Sequence, residues 1–226
     1  MPLANRFLYS PISYLFRGDF QGFLLIVLYL LPALVIALSF HEAAHAWMAN
    51  RMGDPTAKNL GRMTLDPTKH IALFGLIAFL FIGFGWGKPV PTNPRNYHNF
   101  KKANVLVSIS GVTVNLILSF LFYMILSVAV ALGLQNAIII NILSNIVFLN
   151  IILCFFNLIP IPPLDGHHLV SGFIARKSPR LFMYYKQYGH FVLLGLLFLT
   201  NWIHFILNFF TFWVIYAYEA FFGLFL

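Results

Sequence analysis

The chain alternates between long apolar segments and short polar ones. Helices that span a membrane need about 20 apolar residues, and this pattern predicts five of them, at about 21–50, 103–132, 138–158, 188–202 and 205–225. A further apolar stretch, 71–84, is shorter, and the prolines that follow it exclude a helix there. The pattern therefore predicts an all-α polytopic membrane protein with about five transmembrane helices.

The distribution of basic residues indicates whether the stretch 71–84 spans the membrane or re-enters it. Twelve of the 14 Lys and Arg residues fall in three polar regions, 51–69, 88–102 and 167–187. The positive-inside rule places such regions on the cytoplasmic face, and all three share that face only if 71–84 enters the membrane and returns. Arg6 and Arg17 are the exceptions. Because irregular backbone at that depth needs protein or a water-filled cavity around it, we expect a re-entrant segment beside a polar pocket.

Composition agrees with the membrane class. The chain is 60% hydrophobic and 9% charged, which is more apolar than a soluble domain of 226 residues requires. The net charge of +8 is explained by topology and by anionic headgroups, so no nucleic-acid partner is expected. The single cysteine, Cys154, excludes an internal disulfide and a thiolate zinc cluster. Residues 1–19 are amphipathic and aromatic, and we expect them to lie at the interface rather than to form a cleavable signal peptide.

The end of the first span carries the sequence His-Glu-Ala-Ala-His at positions 41–45. Residues i and i+4 share one face of a helix, so His41 and His45 can bind one zinc ion. Glu42 lies beside them and is suited to act as a base on water. Ionisable side chains at membrane depth are costly unless they have a function, which argues against a coincidental pair of histidines.

A hydrolytic zinc site needs a third protein ligand and one open position. Asp165 follows the third span at the same membrane level as the histidines, and a proline-rich segment before it restricts where its carboxylate points. Two alternatives stay open: Asp165 caps the helix that follows it, or Glu219 near the C-terminus is the ligand. The adjacent His167 and His168 are expected to be solvated loop residues.

Two motifs together point to a family. The sequence at 41–45, combined with Asn-Leu-Ile-Pro-Ile-Pro-Pro-Leu-Asp-Gly at 157–166, resembles the site-2 proteases, which are intramembrane zinc metalloproteases. The likeness covers roughly residues 30–170 and is closest to compact bacterial and archaeal members without PDZ or CBS domains. The chain departs from the family at Ser110-Gly111-Val112, where Ala-Gly-Pro is usual, and at Ala72-Leu73, where Asp-Pro often follows a His-Ile pair.

The resemblance implies one zinc ion per chain, held by His41, His45 and Asp165, with Glu42 activating water. It also implies a single integral membrane protease domain over 1–226, with a catalytic core at about 21–170 and C-terminal helices at 188–226. The implied activity is regulated proteolysis of transmembrane protein substrates in the cell membrane. The active site would face the cytoplasm.

Substrate contacts are also implied by the resemblance. Asn157 matches the family asparagine that contacts the substrate backbone or steadies the oxyanion, and Asn115 matches a second asparagine near the substrate. The stretch 85–92 matches a re-entrant β segment that pairs with an unwound substrate strand. The substrate-binding residues expected there are Gly87, Lys88, Pro89 and Val90.

Two other functions fit the same residues less well. A zinc transporter would use them as transit ligands, but it needs polar residues across the whole membrane, and the outer halves of the spans are almost wholly apolar. A catalytically inactive scaffold has no need of Glu42, which is intact. The substrate's identity and the oligomeric state are left open by the sequence.

Overall fold

The computed structural model describes residues 11–82 and 85–224, and it is almost wholly helical. In chain order the helices are α1 Ile12–Phe16, α2 Phe20–Arg51, α3 Thr56–Asn59, α4 Pro67–His70, α5 Leu73–Ile82, α6 Phe100–Ala131, α7 Ala137–Leu158, α8 Gly166–Lys177, α9 Pro179–Leu199 and α10 Trp202–Phe222. This confirms the predicted all-α class. Residues 1–10 of the predicted interfacial segment and Gly83-Phe84 lie outside the described residues.

Four of these helices, α2, α6, α7 and α10, are long and apolar enough to cross a membrane. They match four of the five predicted spans to within a few residues. The predicted span 188–202 corresponds to the second half of α9, whose first half carries Arg180 and Lys186. Polar residues before the spans satisfy free backbone N–H groups at the helix starts: Asp19 accepts from Gly22, Asn99 from Lys102, and Asn136 from Ile138.

Helices α2, α6 and α7 pack together as the centre of the fold. The face of α2 in this bundle carries small residues, and Ala33, Ala37, Ala46 and Ala49 are fully buried. Small side chains let helix backbones approach closely, which is how helices associate in lipid. This close packing brings α6 against the face of α2 that carries the histidines.

The C-terminal helices cover α7. Leu193 on α9 and Ile203 on α10 belong to one apolar cluster with Phe156. Tyr218 on α10 lies 2.8 Å, hydroxyl to hydroxyl, from Ser119 on α6. Gly189 lets α9 lie against the proline-rich segment, because a Cβ there would be 2.6 Å from the Cδ of Pro162. Helix α9 therefore covers the proline-rich segment that connects α7 to Asp165.

The residues on the two sides of α5 come back together. Ile71 and Gly87 form an isolated antiparallel bridge, the only β pairing in the described parts of the chain. The N–H of Lys88 also donates to the carbonyl of His70 at 2.6 Å. Between these ends, the ten residues of α5 extend about 15 Å, half of a bilayer core. The geometry is that of a re-entrant segment, and the predicted β element is reduced to this one bridge.

Candidate metal centre

Three side chains converge between α2 and the start of α8. The Nε2 atoms of His41 and His45 lie 3.1 and 3.2 Å from Oδ2 of Asp165, and 3.0 Å from each other. Two imidazole nitrogens and one carboxylate oxygen are a donor set that zinc prefers. Asp165 makes no capping hydrogen bond with its side chain, so the capping alternative is not observed. The cluster could hold one metal ion.

The protonation of His45 is set by helix α6. Its Nδ1 lies 2.7 Å from the carbonyl oxygen of Val107, an acceptor that requires Nδ1 to carry the proton. In the neutral ring the lone pair is then on Nε2, the atom that faces Asp165 and can bind a metal ion. Ser110 donates to the same carbonyl at 2.6 Å. A backbone acceptor behind a histidine ligand is a common way to orient the ring for a metal.

Gly111 lets α6 approach both histidines. A Cβ at this position would lie 2.6 Å from Cε1 of His41 and 2.6 Å from Nε2 of His45. These atoms are in rings that the packed bundle holds, so they cannot give way cheaply. The chain thus keeps the glycine of the family motif at this contact, although Val112 replaces the usual proline.

Replacing Gly111 by Ala is expected to lower zinc affinity about 10- to 100-fold, because the added methyl displaces the histidine rings from the metal position. Zinc per chain, measured by mass spectrometry after dialysis, tests this. Gly172→Ala is the matched control, because a Cβ on this other helical glycine meets nothing within 4 Å. Equal zinc retention in the two variants would contradict the role given to Gly111.

The electrostatics of the cluster suit a cation. Burial raises the pKa of Asp165, but the interactions with the nearby His41 and His45 rings outweigh it and hold that pKa below its ordinary range. Asp165 is therefore ionised at neutral pH, as a metal ligand must be. Burial, helped by the neighbouring His167, lowers the pKa of His168 to about 4, so His168 adds no positive charge beside the cluster at neutral pH.

A cavity of about 290 Å³ opens beside the cluster. His41, Glu42 and Asn157 line its polar side, and Gly87 lines it from the re-entrant segment. Its apolar walls come mainly from α7 and α9: Leu153, Phe156, Leu193, Leu194 and Leu197. Oε2 of Glu42 accepts a hydrogen bond of 2.8 Å from the N–H of Val90. The cavity can therefore hold an apolar chain next to a carboxylate and the metal cluster.

The structure brings together most of the sequence-predicted site residues. Asn157 lines the cavity, with its Nδ2 donating to the carbonyl of Leu153 at 3.0 Å. Lys88, Pro89 and Val90 follow Gly87 along the chain, although they do not themselves line the cavity. Asn115 is enclosed in the bundle. It is fully buried in α6, does not line the cavity, and its side-chain N and O atoms have no hydrogen-bond partner. Its contact with substrate stays a prediction.

The structure also bears on Glu219, the alternative ligand, and on the histidines next to Asp165. Among the described residues, Glu219 belongs to no metal-binding group with the two histidines. The expectation that His167 and His168 are solvated loop residues was wrong, because α8 begins at Gly166 and contains both, with His167 buried and His168 half-buried. Sequence reasoning also missed His190 at the cavity. No motif surrounds it, and only the packing of α9 brings it there.

Two histidines on a membrane-spanning helix and an aspartate at the start of α8, with a glutamate and a cavity beside them, define a polytopic membrane zinc metalloprotease. Comparison with known proteins agrees. The profile of Peptidase family M50 matches residues 127–200, which include Asp165. The chain is 36% identical over 197 residues to "Putative zinc metalloprotease YwhC" of Bacillus subtilis (strain 168), a match that covers 85% of this chain and 84% of that protein.

A second relative is more distant. The chain is 30% identical over 167 residues to "Putative zinc metalloprotease Rip2" of Mycobacterium tuberculosis (strain ATCC 25618 / H37Rv), covering 72% of this chain and 63% of that protein. No solved structure matches the chain significantly. The chain belongs to peptidase family M50, the site-2 proteases, and is a zinc-dependent protease.

Proposed function

We propose that this protein hydrolyses peptide bonds within or near the transmembrane helices of membrane protein substrates. The observation that carries the proposal is the position of the cluster: His41 and His45 are buried in α2, a membrane-spanning helix, and His41 lines a cavity walled by α7 and α9. A peptide bond in this cavity lies beside His41 and Glu42 within the helix bundle. The whole chain acts as one membrane domain, with its core at about 21–170 and α9 and α10 completing the cavity wall.

In this proposal His41, His45 and Asp165 hold one zinc ion. When bound, zinc polarises the scissile carbonyl and makes water a better nucleophile. Glu42 takes a proton from the attacking water and delivers it to the leaving amine, which its place at the cavity permits. The carbonyl of Val107 holds the His45 ring in the orientation that binding requires.

Asn157 is proposed to stabilise the oxyanion. Its Nδ2 donates one hydrogen to the carbonyl of Leu153, and the second hydrogen of the same amide is available to a substrate in the cavity that Asn157 lines. Donors of this kind are worth about 3 kcal/mol of activation free energy.

The substrate is proposed to enter as an unwound strand. A transmembrane helix hides its backbone in its own hydrogen bonds, so its bonds cannot be attacked until it opens. The leucine and phenylalanine walls of the cavity accept apolar side chains, which are what a transmembrane substrate supplies. Gly, Pro or Asn near the cleavage site helps local unwinding.

The active site is proposed to face the cytoplasm of a cell membrane. The three basic regions lie at the end of the spans where the cluster is found, and the positive-inside rule assigns that end to the cytoplasm. Water reaches the cluster from this side, through the polar loops 51–69 and 88–102. Regulated intramembrane proteolysis of a membrane-anchored substrate is the proposed setting.

Cleavage of labelled transmembrane peptides in lipid vesicles tests the proposal. Mass spectrometry is expected to find the cut within or next to the apolar segment. Removing zinc with a chelator should abolish cleavage, and adding back one zinc per chain should restore it. Peptides with Gly or Pro in the segment should be cut faster than an uninterrupted polyleucine helix. Cleavage of soluble peptides alone would contradict the intramembrane proposal.

A further inference from the structure

The residues Gly87–Asn93 are here called the extended segment, and the backbone N–H groups in its middle are already hydrogen-bonded. The N–H of Lys88 donates to the carbonyl of His70 at 2.6 Å, and that of Val90 donates to Oε2 of Glu42 at 2.8 Å. Pro89 and Pro91 carry no N–H. Between residues 88 and 91, therefore, no backbone donor is left for an incoming strand.

The two carboxylate oxygens of Glu42 have different surroundings. Oε2 is held by the N–H of Val90. Oε1 faces the re-entrant segment, 3.8 Å from the position of a Cβ on Gly87, a residue that lines the cavity. Hydrogen bonds to a carboxylate are about twice as strong as neutral ones. The N–H of Val90 thus restrains a flexible glutamate and leaves one oxygen for proton transfer.

Arg62 fixes the extended segment from one side. Its Nη2 donates to the carbonyls of Lys88 at 2.7 Å and Pro89 at 3.3 Å. The arginine is 91% buried, since only 9% of its surface is exposed, so these hydrogen bonds are shielded from water. They hold the carbonyl groups that come immediately before the Val90 amide.

Asp54 fixes the far end of the same segment. It is fully buried and accepts hydrogen bonds from the N–H of Asn93 at 2.6 Å and from Nδ2 of Asn96 at 2.8 Å. Burial raises the pKa of Asp54, but hydrogen bonds, first from Thr56 and then from Asn93, outweigh it and lower that pKa. Asp54 is therefore a charged anchor.

We infer that the extended segment positions the catalytic carboxylate: the N–H of Val90 orients Glu42, while Arg62 and Asp54 are positioning residues that hold that N–H in place. The inference rests on the proposed role of Glu42 in proton transfer. It also changes the role expected for Val90, because a substrate strand can take this N–H only by displacing the carboxylate. Substrate pairing then uses other atoms of the segment.

Val90→Pro is the direct test, because proline removes the N–H while its φ suits an extended backbone already flanked by prolines. Val90→Ala is the matched variant: both lose the valine side chain, and only one loses the N–H. We expect kcat for a labelled transmembrane peptide to be about 10- to 100-fold lower in Val90→Pro than in Val90→Ala, with similar KM and equal zinc content. Equal kcat values, or a faster Val90→Pro, would overturn the inference.

Amide exchange gives a readout that does not depend on activity. Val90 has the only exchangeable backbone amide among residues 89–91, so its hydrogen exchange can be followed by NMR. Glu42→Ala should speed this exchange at least tenfold relative to Glu219→Ala. Unchanged exchange would overturn the inference even if the peptide assay failed. If wild type cleaves nothing while Val90 exchange responds to Glu42→Ala, the proposed function fails and the contact stands.

Arg62→Gln keeps the test decisive if Val90→Pro does not fold. Glutamine is too short and lacks the charge to hold both carbonyls. The expected result is a lower kcat with unchanged KM and zinc content, together with faster exchange at Val90. Normal kcat and normal Val90 exchange in a folded Arg62→Gln variant would remove Arg62 from the proposal.

Discussion

Glu42→Gln is expected to lower kcat about 10²- to 10⁴-fold while zinc stays at one ion per chain, because general acid–base catalysis contributes that much. Glutamine has the shape of glutamate, and its carbonyl oxygen can still accept from the N–H of Val90. It cannot take a proton from water. The measurement is single-turnover cleavage of a labelled transmembrane peptide, with zinc determined on the same sample.

Glu219→Gln is the matched control, because Glu42 and Glu219 are the only two glutamates of the chain. Glu219 follows Tyr218, which contacts Ser119 and Phe120 on the far part of α6. We expect this variant to keep both zinc and cleavage. Cleavage at the wild-type rate by Glu42→Gln would contradict the proposed role of Glu42, and zinc loss in Glu219→Gln would revive Glu219 as a ligand.

Asp165→Asn is expected to weaken zinc binding at least about 100-fold. This exceeds the usual effect of removing a residue that only hydrogen-bonds to a metal ligand. The amide is neutral, and zinc then loses the only carboxylate of the cluster. Cleavage should fall with zinc occupancy and recover partly when zinc is added in excess. Competition with a chelating dye measures the affinity.

Asp66→Asn provides the same chemical change away from the cluster. Asp66 is exposed and accepts from the N–H of Thr68 at the start of α4. This variant should bind zinc like the wild type. If Asp165→Asn kept wild-type zinc affinity but lost cleavage, Asp165 would act on the substrate rather than as a ligand.

The elements that the sequence predicted best depend on local rules. Helical periodicity alone places His41 and His45 on one face, and the spans follow from the length that a bilayer requires. The re-entrant segment followed from the distribution of basic residues, and the bridge between Ile71 and Gly87 agrees with it. Asp165 lies 120 residues after His45 in the sequence. It could still be proposed as a ligand, because the predicted spans place both residues at the same depth in the membrane.

Other features depended on how distant segments pack. Nothing near Gly111 in the sequence shows that it touches both histidine rings, since that contact depends on how closely α6 approaches α2. Asn115 resembled a substrate-binding residue, yet it is enclosed in the described structure. His190 reaches the cavity only because Gly189 lets α9 lie on Pro162.

By itself, then, the sequence determined the membrane class, four of the spans and the pair of histidines, because hydropathy and helical periodicity act within a segment. Its two motifs pointed to the family and made Asp165 the best candidate for the third ligand, with Glu219 as an alternative. The tertiary structure alone decided which backbone atoms support the site: the carbonyl of Val107 behind His45 and the N–H of Val90 on Glu42. Such contacts join residues 62 and 48 positions apart. Their geometry is set by the packing of whole helices, which no local pattern records.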